Sequence, residues 1–196
     1  SPIYTEKYYL LIIDNISCQD WNYELIVLSL LIIKDAIKDH QSMHQGVFDI
    51  TKNLISNLLR LYFNNHNVQC LCYETLSQFA KDAYYGYFIT NGELLSLMKE
   101  ALNCEEINAV NAHKVKLRQS MMELICVLAS DEGNSRRLSG ELMETLLKEL
   151  DKEYSEDMIV IAKTISVLLR YVINIEPFTS FMGAEIMVNV LNKHYD

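Results

Sequence analysis

Residues 76–98, LSQFAKDAYYGYFITNGELLSLM, and residues 124–147, LICVLASDEGNSRRLSGELMETLL, align with each other when a single one-residue shift is allowed. The matched positions carry apolar, small or acidic residues in both blocks: Leu76 with Ile125, Phe79 with Leu128, Ala80 with Ala129, Asp82 with Asp131, Gly92 with Gly140 and Leu94 with Leu142. Self-similarity of this kind indicates that the chain repeats one supersecondary unit. The two blocks therefore predict how the whole chain is organised.

Glycines recur in step with these blocks. Four glycines lie about 45 residues apart along the chain: Gly46, Gly92, Gly140 and Gly183. This period is typical of repeats of two or three helices. The pairs Asn91-Gly92 and Ser139-Gly140 are predicted to end one helix and start the next, because glycine is favoured just beyond a helix C-terminus.

Apolar residues recur at helical spacing along almost the whole chain. Leu25, Leu28 and Ile32 form one such stripe, and Leu142 and Leu146 belong to another. Strand-like alternation is not found over a comparable length. The chain is therefore predicted to be all-α, with about eight to ten helices joined by short turns. An irregular α-helical bundle is the alternative to a stack of repeats.

Composition limits the functional classes. The chain has 26 acidic and 17 basic residues, a formal charge of -9, and would repel a phosphate backbone. Nucleic acid is not expected as a partner. The longest apolar run, residues 25–33, is shorter than the roughly 20 residues that cross a bilayer, so no membrane span is expected. The cysteines lack the spacing of a disulfide framework, which favours a reducing compartment, the cytoplasm or the nucleus.

Residues 128–134, LASDEGN, followed by Leu138 and by Gly140-Glu141-Leu142, resemble an armadillo repeat. The resemblance extends over residues 68–191 and more loosely over residues 21–65. It implies an α-solenoid of stacked armadillo- or HEAT-like repeats, a single domain over residues 1–196 that belongs to a longer chain. Armadillo repeats that hold extended peptides carry an asparagine on their long third helix. At the corresponding places this chain has other residues, namely Ser96, Lys99, Glu144 and Lys148, and asparagine occurs at Asn53, Asn57 and Asn189.

These features predict a non-enzymatic scaffold or adaptor that binds a partner helix or an extended peptide on one face of the repeats. The residues expected on that face are Asn53, Asn57, Arg60, Ser96, Lys99, Glu144 and Lys148, with Tyr85 and Tyr87 at its rim. The alternative is a compact helical-bundle adaptor, similar to apoptosis regulators, with a hydrophobic groove for an amphipathic helix. The C-terminal apolar residues Val188, Val190 and Leu191 are expected to form an uncapped face, which would suit a homo-oligomer or a larger parent protein.

The aromatic run at Tyr84, Tyr85, Tyr87 and Phe88 lies between two predicted helices. It is interpreted either as a linking segment packed between repeats or as half-exposed anchors for a partner. Phe88 and Tyr84 are expected in the core, and Tyr85 or Tyr87 on the surface. The second block has Gly133-Asn134-Ser135-Arg136 in this place, so the aromatics are not required by the repeat.

Three further groups of residues allow a chemical interpretation. His40 and His44 have the spacing of metal ligands on a helix, but a helix C-terminal role is favoured. His66, Cys70 and Cys72 could begin a zinc site, yet the cysteines fit an apolar helix face, so core packing is expected. No catalytic constellation, metal or cofactor is predicted. The basic residues are expected on a solvated surface or, alternatively, against an acidic peptide or a phosphate: Lys114, Lys116, Arg118, Arg136 and Arg137.

Overall fold

The computed structural model describes Lys7, Leu11 and residues 22–39, 45–104, 112–152 and 158–195. These residues form ten α-helices and one 3-10 helix, with no strand among them, which confirms the predicted all-α class. The helices are α1 (Tyr23–Asp39), α2 (Gln45–Leu61), α3 (His66–Phe79), α4 (Ala83–Thr90), α5 (Glu93–Asn103), α6 (Ala112–Leu128), α7 (Glu132–Leu150), α8 (Met158–Leu168), the 3-10 helix (Val172–Asn174), α9 (Ile175–Ser180) and α10 (Gly183–Tyr195).

The same helix end occurs three times, at the C-termini of α3, α6 and α8. In each case the residue after the helix donates its N–H to the carbonyl four residues earlier, at 2.9 Å: Ala80 to Leu76, Ala129 to Ile125 and Leu169 to Ile165. A second bond closes the following turn three residues apart: Asp82 to Phe79, Asp131 to Leu128 and Tyr171 to Leu168. The third copy was not found in the sequence, because Tyr171 stands where the other two copies have aspartate.

The two aspartates of these turns start the next helices. The Asp82 carboxylate accepts a hydrogen bond from the Tyr84 N–H at 2.9 Å, and the Asp131 carboxylate accepts one from the Asn134 N–H at 2.9 Å. Such N-caps satisfy backbone donors that lack an intrahelical partner. The paired aspartates of the sequence alignment therefore have the same structural role.

Helix packing follows two series. In the first series α1 contacts α3, α3 contacts α6 and α6 contacts α8. In the second series α2 contacts α5, α5 contacts α7 and α7 contacts α10. The short helix α4 contacts α3, α5, α6 and α7, so it lies where both series meet.

One apolar core runs through these contacts, from Ile26 in α1 to Leu168 in α8. An aromatic cluster belongs to it: the Phe48 ring centroid lies 5.1 Å from that of Phe79 and 4.6 Å from that of Tyr85. Aromatic pairs at such distances stabilise beyond the area they bury. The cluster joins α2, α3 and α4.

The expected surface position of Tyr85 was wrong. Tyr85 is 8% exposed, whereas Tyr84 is 49% exposed and Tyr87 is 47% exposed, so Tyr84 was also misplaced. The physical reason is helix phase: the aromatic run is helix α4, and Tyr85 shares its buried face with Ile89, four residues on. Phe88 is partly buried against the core, and Tyr87 is on the surface, as expected.

Two buried asparagines connect neighbouring helices. Asn134 of α7 is 2% exposed and lies against Gly86 of α4, and its Oδ1 accepts a hydrogen bond of 2.9 Å from the Thr90 Oγ1. Asn174 of the 3-10 helix is also buried and donates from Nδ2 to the Ser135 Oγ of α7 at 2.9 Å. Asn134 and Asn174 each lie three residues after the residue that closes the preceding turn, Asp131 and Tyr171, and Gly86 and Ser135 each lie four residues after Asp82 and Asp131. The two contacts, which we call joints, therefore occupy equivalent chain positions, although their hydrogen bonds differ: Asn134 accepts through Oδ1, whereas Asn174 donates through Nδ2 and its Oδ1 has no partner among the described residues.

Two predicted helix boundaries have different outcomes. The break at Asn91-Gly92 is confirmed, since α4 ends at Thr90 and α5 begins at Glu93. The break at Ser139-Gly140 was wrong, because α7 runs through it from Glu132 to Leu150. Leu138 and Leu142 are fully buried there, and their burial outweighs the cost of about 1 kcal/mol for a glycine inside a helix.

Several other expectations concern particular residues. Cys70 and Cys72 are buried in α3, and the described residues contain no group of His, Cys, Asp and Glu that could hold a metal. His40 and His44 lie outside the described residues. Val188 and Leu191 are exposed on α10, whereas Val190 is partly buried. None of the described helices has the length and apolarity needed to cross a membrane.

Candidate functional site

A cleft of about 740 Å³ opens between α5 and α7 beside the C-terminus of α4. One wall is the end of α4 and the start of α5, and the other is the exposed edge of α7. The lining residues are Thr90, Asn91, Gly92, Leu95, Ser96, Gly133, Arg136, Arg137, Gly140 and Glu141. Thr90, in the cleft wall, is also the residue that bonds to Asn134 across the joint.

The α7 wall of the cleft follows from helical spacing. Gly133, Arg136 and Gly140 recur three or four residues apart, which places them on one side of the helix, and Glu141 follows directly after Gly140. The opposite side carries buried Leu138 and other apolar residues. Gly140 has no side chain to fill the cleft, and no atom lies within 4 Å of the position that a Cβ would occupy there.

Ion pairs bridge neighbouring helices of the second series on either side of the cleft. The Arg60 guanidinium of α2 pairs with the Glu93 carboxylate at the start of α5. The Lys99 Nζ of α5 lies 2.9 Å from the Glu141 Oε2 of α7. Both pairs are well exposed, so they contribute little to stability. Their effect on the cleft is to pair Glu141, the carboxylate among its lining residues, with a cation.

The two arginines of the cleft have different environments. The Arg137 guanidinium lies 4.7 Å from the centroid of the Tyr87 ring, and its Nη1 is 3.5 Å from the Asn134 Oδ1. A cation over an aromatic face is attracted by the ring quadrupole, which holds Arg137 in place. Arg136 is exposed and forms no ion pair with any residue that the structure describes.

The start of α5 adds backbone donors to the same cleft. Gly92 is the N-cap residue and supplies no side-chain acceptor to the helix. The acidic residue of the first turn, Glu93, is engaged by Arg60. The first N–H groups of a helix lack intrahelical partners and carry a partial positive charge. The cleft therefore combines two guanidinium groups with the positive end of a helix.

The predicted site residues lie on consecutive helices of the second series. Asn53, Asn57 and Arg60 are exposed along α2, and Ser96 lies in the cleft on α5. Lys99, also on α5, donates a hydrogen bond of 2.9 Å to the Glu141 carboxylate of α7. We call the exposed side of α2, α5 and α7 the polar face.

Glu144 and Lys148 continue the polar face along α7. They form an i,i+4 pair with 2.7 Å between the Lys148 Nζ and the Glu144 Oε1. The hydrogen bond from Lys148 lowers the pKa of the Glu144 carboxyl below its ordinary value. Tyr87 borders the cleft under Arg137, whereas Tyr85 is in the core and does not belong to the site.

Sequence reasoning missed the cleft residues Asn91, Gly133, Arg136, Arg137 and Gly140 as a site. Arg136 and Arg137 were recognised as a basic group, but the solvated surface was favoured over an acidic ligand. The signal available was the run of small and basic residues at helical spacing in 133–140, which becomes visible once that segment is treated as one helix. Their position opposite Ser96 depends on helix packing and could not be inferred.

The arrangement can bind an anion through charged and neutral N–H donors. Arginine presents paired N–H groups that match the two oxygens of a carboxylate or phosphate. The open length of the polar face, from α2 to α7, can accommodate a chain segment rather than a single ion. No protein-family model, curated protein or solved structure matches this chain.

Proposed function

We propose that this chain is a non-enzymatic protein-interaction module, an α-solenoid of armadillo- or HEAT-like units that binds a segment of a partner protein on the polar face. The units are α3 to α5, then α6 and α7, then α8 to α10, with α1 and α2 as a looser first unit. They form a single domain and act by geometry: stacked units hold exposed side chains at fixed separations along one surface.

The observation that carries the proposal is the repeated joint. Asn134, which lies against Gly86 and accepts a hydrogen bond from Thr90, and Asn174, which donates one to Ser135, occupy equivalent chain positions at successive boundaries. Repetition of a boundary, and not of a helix alone, is what distinguishes a stack from an irregular bundle. The two series of helix contacts have the same order and support the same interpretation.

The polar face is favoured as the binding surface because consecutive helices contribute to it and ion pairs connect them. Arg60 with Glu93 and Lys99 with Glu141 join α2 to α5 and α5 to α7. A bound segment that crosses these helices would meet a continuous row of hydrogen-bonding groups. Such a row suits an extended peptide, whose backbone offers donors and acceptors at every residue.

The experiment is a selection of random 16-residue peptides displayed on phage against the full chain, followed by hydrogen exchange of the chain with each selected peptide. We expect slowed exchange in α2, α5 and α7. Ser96→Arg, on the polar face, should abolish binding, whereas Ser166→Arg should not, since Ser166 is an exposed serine on α8. Absence of selected peptides, or protection confined to other helices, would refute the proposal.

A further inference from the structure

The geometry points to the cleft between α5 and α7 as an anion subsite that receives an acidic or phosphorylated side chain of the bound segment. This inference rests on the proposed function, because it assigns the chemistry of one position on the polar face. It identifies the partner as an extended protein segment with an anionic side chain.

The first argument for an anion subsite is the charge of the side chains in the cleft. Two arginines line it, and its own carboxylate, Glu141, is bonded to Lys99 at 2.9 Å. The whole chain has a formal charge of -9, so a surface with two guanidinium groups differs in sign from the average surface. An anionic segment would be repelled by most of the molecule and accepted here.

The second argument for an anion subsite is the fixed orientation of the Arg137 guanidinium. Its contact with the Tyr87 ring at 4.7 Å and with the Asn134 Oδ1 at 3.5 Å uses the ring face and one Nη1 donor. A guanidinium has five N–H donors, so others remain for a ligand. Because Asn134 is itself fixed in the joint, the guanidinium is positioned before a ligand arrives, which reduces the entropy lost on binding.

The third argument for an anion subsite is the space that the cleft offers. A volume of about 740 Å³ accommodates several side chains, and Gly133 and Gly140 keep the α7 wall low. Gly92, the N-cap residue of α5, lines the same space and provides no side-chain cap, so the first N–H groups of α5 lie beside the cleft. An anion in the cleft would thus have donors on two sides.

The test uses peptides from the display selection described above, synthesised in three forms: with glutamate, with glutamine and with phosphoserine at the position that gives the strongest protection of residues 133–141. Binding to the full chain is measured by fluorescence anisotropy. We expect the glutamate or phosphoserine form to bind at least about tenfold more tightly than the glutamine form, because the glutamine form lacks the charge-assisted hydrogen bonds to the guanidinium groups. Preference for glutamate identifies an acidic segment, and preference for phosphoserine a phosphorylated one.

Charge-reversal variants assign the effect to the cleft. Arg136→Glu should abolish the preference for the anionic form, and Lys163→Glu, which reverses an exposed charge on α8, should leave it intact. Equal binding of all three forms, or an unchanged preference in Arg136→Glu, would overturn the subsite. If peptides still protect α2, α5 and α7 in that case, the proposed function stands without the subsite. If no peptide protects the polar face, both proposals fail.

Discussion

Substituting Gly86 with alanine probes the joint between the units. The added Cβ would lie 2.7 Å from the Asn134 Nδ2 and 3.4 Å from the Leu128 Cδ2. The Asn134 side chain is buried and bonded to Thr90 at 2.9 Å, so it cannot withdraw without losing that hydrogen bond. Overpacking of this kind costs about 1–3 kcal/mol. Alanine gains roughly 0.5–1 kcal/mol over glycine in a helix, which leaves a net loss of up to about 2.5 kcal/mol, and about 1 kcal/mol at the middle of both ranges.

The matched control is Gly140→Ala in α7, where nothing lies within 4 Å of the new Cβ. There the gain in helix propensity should appear alone, as a stabilisation of about 0.5–1 kcal/mol. The free energy of unfolding is measured by urea denaturation, in which a loss of 1 kcal/mol moves the midpoint by roughly 0.5 M at a slope near 2 kcal/mol per M. The two glycine substitutions should therefore move the midpoint in opposite directions.

A double-mutant cycle assigns the loss to the contact with Asn134. Asn134→Ala removes the atom that the new Cβ would meet, so Gly86→Ala should cost about 1–2 kcal/mol less in that background. If Gly86→Ala stabilises the wild-type chain as much as Gly140→Ala does, the close approach of α4 and α7 is wrong. An unchanged cost in the Asn134→Ala background would place the strain elsewhere.

Three further perturbations test the rest of the fold. Asn174→Ala should lower the free energy of unfolding by about 1 kcal/mol, because it removes the 2.7 Å hydrogen bond to the Leu168 carbonyl, which keeps the Tyr171 N–H as a donor. Asn189→Ala, at an exposed asparagine of α10, should leave the urea midpoint unchanged. Glu149→Ala should lower the free energy of unfolding, because it removes the buried carboxylate that lies 3.0 Å from the Arg118 Nη2, whereas Glu144→Ala in the exposed pair of the same helix should leave thermal unfolding unchanged. Burial raises the pKa of the Cys72 thiol above its ordinary value of 9.0, so the folded chain keeps a proton that the unfolded chain releases. Stability should therefore fall above about pH 9 by up to roughly 1.4 kcal/mol per pH unit. A chain with Cys72→Ala should lose less stability between pH 8 and pH 10, and an identical loss would contradict the buried position of the Cys72 thiol.

The helical class could be predicted because it depends on local spacing. A stripe such as Leu142 and Leu146 defines one buried helix face without knowledge of its partner. The phase of short α4 was also within reach: an Asp82 N-cap followed by Tyr85 and Ile89, four residues apart, indicates which tyrosine is buried. The error arose from treating the aromatic run as a turn.

The helix α7 shows where local rules fail. Ser139-Gly140 has the composition of a helix end, and a rule based on glycine alone predicts a break there. The buried leucines on either side decide otherwise, and their burial depends on α5, α8 and the other helices that α7 contacts. The cleft was out of reach for the same reason, because Arg136 and Ser96 face each other only after the units have packed.

Apolar packing alone does not fix how one unit sits on the next. Leucine and isoleucine surfaces tolerate small changes in register, since exchanging one apolar contact for another costs little. A buried asparagine differs from an apolar side chain, because each of its polar atoms that lacks a hydrogen-bond partner lowers the stability of the fold by up to several kcal/mol. Asn134 meets that requirement where Thr90 offers a hydroxyl and Gly86 leaves room for the side chain. The joint therefore selects one register of α4 against α7.

That register also sets the cleft. Thr90 lies in the cleft wall, and Arg137 donates to the same Asn134 Oδ1 that Thr90 reaches. The residue that positions the units thus positions a cation of the proposed subsite. Asn134→Ala should consequently weaken binding of an anionic peptide even in urea-free buffer, where the chain remains folded, while Asn174→Ala, at the equivalent joint away from the cleft, should change stability without changing that affinity.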